Sequence, residues 1–322
     1  MSFDLTNPIF HDEEAARAYF EGVRWPNGPV CPHCGVVNEA TLVKGQSHRP
    51  GMYQCNACRE PFTVTIGSVM ESSHVPLSKW ALAFRLMASS KKGVSAHQLM
   101  RTLGLGSYRT AWFMAHRVRE AMADRDPEPL GGKGKTVEID ETFIGKPDQR
   151  FVSGKGWQGK RGTATKRKVL TMVERGGRAV SVKVNDLTVD TLKTVIGKHV
   201  VLDSALNTDE AQHYKALGKK FASHDAVNHS EEEYVRREGD KLVTTNTVEG
   251  FFGVFKRGMV GVYQHCGENH LQAYLNEFDF RYSNRVKLDV DDTERTLRAV
   301  KGAEGKRLTY KQPRSAQSAR AV

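Results

Sequence analysis

The sequence predicts an α/β protein in which a mixed β-sheet domain follows a cysteine-rich module and a helical region. Two Cys-x-x-Cys pairs lie within residues 23–70, a stretch that is also rich in glycine and proline. Residues 76–124 have the apolar spacing of helices, whereas alternating β-branched runs begin at residue 136. The segment 124–135 combines proline, glycine and charge without periodicity, and we therefore predict a linker there.

Composition and charge favour a folded protein with a polyanionic partner. The chain has 322 residues, of which 39% are hydrophobic, so it can form packed cores. The formal net charge of +11 favours binding to nucleic acid. There is no apolar stretch of about 18 residues and no basic N-terminal region followed by an apolar run. We therefore expect no membrane association and a reducing, cytoplasmic setting, in which disulfides are disfavoured.

Four of the five cysteines have the spacing of zinc ligands. They form two pairs with 20 residues between them: Cys31, Cys34, Cys55 and Cys58. A tetrahedral zinc ion takes four thiolates, so the sequence predicts a zinc ribbon with one structural Zn²⁺. We expect Gly35, Tyr53 and Phe62 to be its turn and packing residues, and Cys266 to be structural. The alternatives are four free core thiols or a redox pair, and the latter is disfavoured because neither pair opens a helix after a strand.

Residues 91–122 have the layout of a helix-turn-helix. Ser95 can cap a first helix, residues 103–105 can form the turn, and Ser107 can cap a second helix. In such a motif the second helix enters the major groove with its N-terminal residues near the base edges. The residues that we predict to contact DNA there are Tyr108, Arg109 and Arg117. An ordinary helical hairpin has the same pattern, but the neighbouring ribbon and the net charge favour DNA binding.

The β-branched runs after the linker predict a sheet. Strands are predicted at 136–144, 168–174, 179–184 and 199–203, with a helix at 188–197. Three successive strands, then a helix and another strand, match the first half of an RNase H-like sheet. Two further helices are predicted around 245–257 and 268–284. The last 22 residues carry six Lys or Arg and one Glu, which predicts a loose basic tail.

Two acidic residues of this region are placed to bind a metal ion. Asp140 lies inside the first predicted strand, where a carboxylate is costly unless it is paired or binds metal. Glu249 lies on a predicted helix two turns before Lys256, so the carboxylate could hold a cation while Lys256 and Arg257 hold a phosphate. Either acid alone could instead be a solvated surface residue. The pattern also offers Asp203, at the end of the predicted fourth strand.

Eight segments, in order along residues 20–285, together resemble the DDE-class insertion-sequence transposases with an N-terminal zinc ribbon. They are RWPNGPVCPHCG (24–35), the second Cys-x-x-Cys, TAWFMAHRVREAM (110–122), IDETFIG (139–145), TDEAQHY (208–214), VNHSEEEYV (227–235), TNTVEGFFGVFKRG (245–258) and HLQAYLNEFDFRYSNR (270–285). The resemblance implies an RNase H-like catalytic domain. It implies a triad of Asp140, Asp209 and Glu249 that binds Mg²⁺ or Mn²⁺. It also implies that Lys256 is the basic residue that follows the glutamate by two turns.

The second carboxylate of this triad has two candidates. The end of the predicted fourth strand favours Asp203, whereas the family motif Thr-Asp-Glu followed by Tyr favours Asp209. We prefer Asp209, because Tyr214 and Leu217 also match the family.

These observations predict the following domains. Residues 1–75 form an N-terminal helix and the zinc ribbon, 76–126 the helix-turn-helix, 127–135 a linker, 136–290 the catalytic domain and 291–322 a basic tail. The stretch 146–168 carries eight Lys or Arg and one Asp, and we expect a mobile loop that contacts backbone phosphates, with Phe151 and Trp157 as stacking surfaces.

The expected function is DNA transposition. Such an enzyme binds terminal inverted repeats, hydrolyses the element end with two metal ions, and joins the released 3′-hydroxyl to target DNA. The expected partners are double-stranded DNA and further copies of the chain on DNA, with nucleoid association through that DNA. The alternatives are a DNA-binding regulator without enzymatic activity and an RNase H-like nuclease that does not join strands.

Overall fold

The chain forms two compact units. A computed structural model describes residues 4–45, 47–145, 149–154, 156–159, 163, 166–228, 231, 233–239 and 241–309. The first unit comprises Met1–Ala123 and Val290–Val322, and the second comprises Asp124–Asp289. Within the described residues, the helices are too short or too polar to cross a membrane.

The described residues form nine α-helices and twelve β-strands. The described α-helices are α1 (Glu13–Arg24), α2 (Leu77–Ser89), α3 (Ala96–Thr102), α4 (Tyr108–Met122), α5 (Val189–His199), α6 (Gln212–Gly218), α7 (Asn246–Gly258), α8 (Leu271–Ser283) and α9 (Asp292–Lys301). The described strands are β1 (Ala40–Leu42), β2 (Tyr53–Cys55), β3 (Pro61–Phe62), β4 (Thr136–Ile144), β5 (Gln149–Val152), β6 (Gly156–Gly159), β7 (Arg167–Glu174), β8 (Ala179–Val184), β9 (Ala205–Asp209), β10 (Ser223–Val227), β11 (Val235–Glu238) and β12 (Lys241–Thr244).

The first unit contains a small antiparallel sheet in the order β1-β2-β3. Aromatic side chains pack on it: the ring of Trp25 meets those of Tyr53 and Phe62 edge-on, with centroids 5.6 Å away in both cases. Gly35 has φ +77°, a left-handed conformation that glycine adopts without strain. The predicted turn and packing residues of the ribbon are therefore confirmed.

Helices α1 to α4 make up most of the remaining first unit. The carboxylate of Glu13 on α1 accepts hydrogen bonds from the backbone N–H groups of Leu77 (2.8 Å) and Ser78 (3.1 Å), and so caps α2, which Pro76 cannot do. Ser95 caps α3 by accepting from the N–H of Gln98 at 3.1 Å, and Ser107 accepts from that of Arg109 at the start of α4 at 3.2 Å.

The segment 291–322, predicted as a basic tail, begins with a packed helix, and the loose tail predicted for the last 22 residues starts only at its end. Residues Asp292–Lys301 form α9, which packs on α1, α2 and α4. The segment after this helix forms backbone hydrogen bonds with the segment that follows β3. The N–H of Val69 donates to the carbonyl of Ala303 at 3.2 Å, and the N–H of Gly305 donates to that of Gly67 at 2.9 Å. The helix has buried Thr296, Ala299 and Val300 on one side, a pattern that the surrounding charges concealed. Residues 310–322 lie outside the described residues.

The second unit is built on a five-stranded sheet in the order β10-β9-β4-β7-β8. Strand β4 runs antiparallel to β7 and parallel to β9; β7 and β8 are antiparallel, and β9 and β10 are parallel. The predicted mixed α/β sheet is therefore confirmed. The predicted hairpin partners 168–174 and 179–184 correspond to β7 and β8, and the helices near 188, 245 and 268 to α5, α7 and α8.

The predicted fourth strand at 199–203 was wrong, because the strand is β9, Ala205–Asp209. His199 ends α5, and Val200 is buried and makes only an isolated bridge with Leu130. The strand itself contains Asn207 and Thr208, which are polar yet buried. Its composition therefore hid it, while the apolar run before it attracted the prediction.

The two faces of this sheet bury different helices. On one face Ile139, Leu170 and Met172 pack with Leu192 and Ile196 of α5. On the other face Val169 and Val173 pack with apolar residues of α7 and α8. Because successive strand residues point to opposite faces, the even-numbered residues of β4 point toward the α7 side.

Helix α8 covers the outer edge of β8. Backbone N–H groups of β8 donate to three of its side chains, namely Ala179 to Ser283 at 3.1 Å, Ser181 to Asp279 at 2.7 Å and Lys183 to Gln272 at 2.9 Å. Gln272 returns a hydrogen bond to the carbonyl of Ser181 at 2.9 Å. The helix thus supplies the hydrogen bonds that a further strand would otherwise make.

The basic stretch 146–168 is described in part. Its backbone forms the two-stranded antiparallel hairpin β5-β6. The side chains of Phe151 and Trp157, predicted as stacking surfaces, lie outside the described part of the chain.

Candidate active site

Asp140 lies in the middle of β4, on the central strand of the sheet. It is the register partner of Thr171 on β7, and it is half-buried. One carboxylate oxygen, Oδ1, accepts the backbone N–H of Glu141 at 2.7 Å. The sequence prediction of an acid inside a strand is therefore confirmed, although its metal-binding role stays a prediction.

Asp209 is the last residue of β9, the strand that lies parallel to β4. Its Oδ1 accepts the N–H of Ala211 at 3.1 Å, which holds the carboxylate at the carboxyl end of the strand. Asp203 lies before the first residue of β9, in an exposed segment. The two aspartates are therefore at different ends of this strand, and Asp209 is at the end nearer to Asp140.

Glu249 lies in the first turn of α7, where the positive end of the helix dipole favours an acidic side chain. The hydroxyl of Thr245 donates to its Oε1 at 2.9 Å. The side chain is otherwise exposed toward solvent. Lys256 and Arg257, on the same helix, are also exposed, and the ammonium of Lys256 lies 5.7 Å from the ring centroid of Phe252.

The three predicted carboxylates interact electrostatically. Burial raises the pKa of Asp140 to about 7; the charge of Glu141 contributes next, and those of Asp209 and Glu249 add to the rise. These residues are far apart in the sequence, yet their charges act on one carboxyl group. Such a concentration of like charge in a half-buried place is typical of sites that bind cations.

Glu141 is a fourth acid whose charge acts on Asp140, and the sequence predicts no role for it. Burial raises its pKa, while the hydroxyl of Tyr214, which donates to its Oε2 at 2.6 Å, acts in the opposite direction. His213 Nε2 lies 3.6 Å from its other oxygen. The signal in the sequence was its position beside Asp140, but a single glutamate next to an aspartate does not reveal which face of a strand it occupies.

The four cysteines meet around one point. The distance from Cys31 Sγ to Cys58 Sγ is 3.7 Å, and that from Cys34 Sγ to Cys55 Sγ is 3.6 Å. Four sulfurs at about 2.3 Å from a tetrahedral zinc ion stand about 3.8 Å apart, so these distances fit one Zn²⁺. Among the described residues, this quartet forms the one group of three or more possible ligands whose atoms all lie within 4.8 Å of one another. The carboxylates of the sheet are more widely spaced than that.

Two further observations support the assignment of the cysteines. The backbone N–H of Cys58 donates to the sulfur of Cys55 at 3.5 Å, and such a hydrogen bond favours the thiolate, the form that binds zinc. Cys266 is buried, donates to the carbonyl of Gly267 at 3.2 Å and is not a member of the quartet.

The residues predicted to contact DNA on α4 differ in exposure. Tyr108 is 44% exposed, and its ring lies 4.4 Å from that of His97 on α3. Arg109 follows it on the exposed surface. Arg117 is half-buried with its guanidinium over the ring of Phe113 at 4.6 Å, and burial lowers its pKa. The structure therefore presents the first two residues to solvent more openly than Arg117.

Known proteins with similar sequences match both units. Residues 129–283 match the family model of the ISXO2-like transposase domain, and residues 11–60 match that of the transposase zinc-ribbon domain. The chain is also 26% identical, over 282 residues, to a Halobacterium salinarum protein named as an uncharacterized protein in transposable element ISH50. That alignment covers 84% of this chain and 91% of the relative.

The two family models match separate parts of the chain in the expected order. The zinc-ribbon match contains all four clustered cysteines, and the transposase match contains Asp140, Asp209 and Glu249. The chain therefore carries two segments that transposase family models match, a transposase zinc ribbon and, after it, an ISXO2-like transposase domain.

Proposed function

We propose that the protein cleaves DNA at the ends of an insertion sequence and joins the released ends to target DNA. The observation that carries this proposal is that three acids from different elements lie near one another: Asp140 on β4, Asp209 on β9 and Glu249 on α7. The charges of the second and third both raise the pKa of the first. The strand order β8-β7-β4-β9-β10, with β4 and β7 antiparallel and β4, β9 and β10 parallel, supports an RNase H-like catalytic domain.

The donor set fits hard divalent cations. Carboxylate oxygens are the ligands that Mg²⁺ and Mn²⁺ prefer, and Asp140, Asp209 and Glu249 would hold them. When bound, the ions activate water and stabilise the charge of the leaving 3′-oxygen. Asp140, on the central strand, is the residue that we expect to serve two ions.

The chain itself prepares the carboxylates for this role. The backbone N–H of Glu141 donates to one oxygen of Asp140, and that of Ala211 donates to one oxygen of Asp209. The second oxygen of each carboxylate would then bind the metal ions. The hydroxyl of Thr245 orients Glu249. Lys256 and Arg257 place positive charge at the last turn of the same helix, where they can attract the phosphodiester backbone.

The first unit is the proposed DNA-binding part. Helices α3 and α4, joined at residues 103–107, form the proposed helix-turn-helix, with Tyr108 and Arg109 at the start of the second helix. The ribbon, with its Zn²⁺, is proposed to bind DNA beside it. Two element ends must be handled together, so we propose a homo-oligomer on DNA.

The test is a strand-transfer reaction with labelled terminal inverted repeats, target DNA and Mg²⁺. We expect cleaved and joined products from the wild-type protein, and Asp140→Ala to abolish both while end binding persists. Specific binding without cleavage by the wild type would contradict the proposal and favour a regulator. Cleavage without joining would favour a nuclease, and wild-type rates in Asp140→Ala would exclude Asp140 as a metal ligand.

A further inference from the structure

A buried glutamate lies on the same strand, and on the same face of the sheet, as the proposed metal ligand of β4. Glu138 is two residues before Asp140 and has no exposed surface. Its carboxylate accepts five hydrogen bonds: from Arg175 Nε (3.0 Å) and Nη2 (2.9 Å), Thr247 Oγ1 (2.8 Å), Thr247 N (2.7 Å) and Val248 N (3.1 Å). A buried charge is tolerated only when it is paired and hydrogen-bonded, and here it is both.

Glu138 caps the helix that carries Glu249. The N-cap residue of α7, Thr245, makes no side-chain hydrogen bond to the first N–H groups of the helix. The carboxylate of Glu138 takes that place, because its Oε2 accepts the N–H groups of Thr247 and Val248. A negative charge at this end of a helix also interacts favourably with the helix dipole. The central strand of the sheet therefore holds the start of α7 directly.

The chain segment that leads into α7 is held by two more side chains. Arg175 donates to the carbonyl oxygens of Leu242 (2.9 Å) and Thr244 (3.4 Å) on β12. Asn207 on β9 donates to the same two oxygens, at 3.3 Å and 3.1 Å. Asn207 is buried, so these carbonyls supply the partners that its amide needs.

The members of this network stand in a regular relation to the proposed ligands. Glu138, Asn207 and Thr247 each lie two residues before one of them, respectively Asp140, Asp209 and Glu249. Glu138 and Asn207 are also register partners between β4 and β9. Strand residues two apart lie on the same face, about 7 Å from each other. The network therefore ties together the three elements that carry the three carboxylates, namely β4, β9 and α7.

We infer that Glu138 is a positioning residue, and that the network of Glu138, Arg175, Asn207 and Thr247 sets the separation of the three carboxylates. This inference rests on the proposed function, because it assigns the network a role in the same site. The competing interpretation is that the network only stabilises the fold. The two interpretations differ in whether the loss of the Glu138 charge changes cation binding at the site.

Glu138→Gln tests this, because glutamine keeps the size and removes the charge that pairs with Arg175. The matched control is Glu277→Gln. Glu277 is also fully buried, pairs with Arg281 and accepts the hydroxyl of Tyr263 at 2.5 Å, but these partners lie on α8 and the segment before it. Both variants therefore lose one buried, arginine-paired charge in the same unit.

The first readout is Mn²⁺ binding, measured by electron paramagnetic resonance of the free ion, with Asp140→Ala defining the binding that belongs to the site. The second is the Mg²⁺ concentration that gives half-maximal cleavage. We expect Glu138→Gln to weaken Mn²⁺ binding, and to raise the Mg²⁺ concentration for half-maximal cleavage, by about ten- to 100-fold each. This is the usual effect of residues that orient metal ligands. We expect Glu277→Gln to lower the urea midpoint of unfolding and to leave both metal dependences within about twofold of wild type.

Equal metal dependences in the two variants would overturn the positioning role. If the wild type binds Mn²⁺ through Asp140 but does not cleave DNA, the proposed function fails, while the Mn²⁺ measurements still decide the role of Glu138. If the wild type shows no Mn²⁺ binding that Asp140→Ala removes, both proposals fail.

A milder variant covers the case in which Glu138→Gln does not fold. Thr247→Val removes only the hydroxyl that donates to Glu138, and Thr247→Ser retains it. We expect the valine variant to weaken Mn²⁺ binding and the serine variant to restore it. Mn²⁺ binding with wild-type affinity in both variants would contradict the proposed role of the network.

Discussion

Strand β9 has an aspartate on either side of its polar centre, and their surroundings differ. Asp203 lies in an exposed segment before the strand, whereas Asp209 is half-buried at the end of it and its charge acts on Asp140. A residue that serves as a ligand must share its space with the other ligands. At the scale of single residues, the structure therefore supports the candidate that the family motif favoured.

The pair provides a matched test of the second carboxylate. We expect Asp209→Ala to reduce cleavage by several orders of magnitude, because a ligand is lost, and Asp203→Ala to cleave at a rate close to wild type. Rates are measured on labelled terminal repeats in Mg²⁺, with end binding as the control for folding. The opposite order of activities would assign the role to Asp203.

At the scale of elements, one half-buried acid contributes to the contact of α8 with β8. Asp279 accepts the N–H and the hydroxyl of Ser181, each at 2.7 Å, and its burial raises its pKa to about 7. An aspartate in an unfolded chain has a pKa of about 4. Between these two values the native protein binds more protons than the unfolded chain. The contribution of this group to stability is therefore lost as the pH rises through that window.

We predict that Asp279→Asn removes this dependence. Between about pH 5 and 7, the free energy of unfolding of the wild type should fall more steeply than that of the variant, by up to about 1.4 kcal/mol per pH unit. Urea unfolding at several pH values measures both slopes. Parallel curves for the two proteins would show that Asp279 keeps an ordinary pKa in the fold.

Some elements were predictable and others were not, for physical reasons. The zinc ligands were predictable because metal coordination fixes residue type and spacing, and β4 because its alternation is strong. Strand β9 was missed because its central residues are polar, and α9 because many charges surround its narrow apolar side. The role of Glu138 was invisible because its partners come from positions 175 and 247, and no local pattern links positions so far apart.

At the scale of the whole molecule, the net charge of +11 predicts that DNA binding weakens steeply with salt. Lys256→Gln should weaken binding to all DNA sequences about equally, and it should reduce the slope of log K against log salt by about 0.9, because one phosphate contact is lost.

The control for this prediction is Lys198→Gln, which removes the same charge from the exposed end of α5, a helix on the other face of the sheet. Filter binding at several salt concentrations gives both slopes. A slope that changes equally in the two variants would show a general charge effect and exclude a phosphate contact by Lys256.

The cover that α8 places over β8 has a consequence for self-association. A bare outer strand invites the same strand of another copy to dock on it, and a protein that gathers at two DNA ends reaches high local concentrations. Because the hydrogen-bonding groups of Ala179, Ser181 and Lys183 are already occupied, that border of the sheet offers no template for intermolecular strand addition. If the proposed oligomer forms on DNA, its contacts would therefore use surfaces other than this border, and the DNA itself could bring them into register.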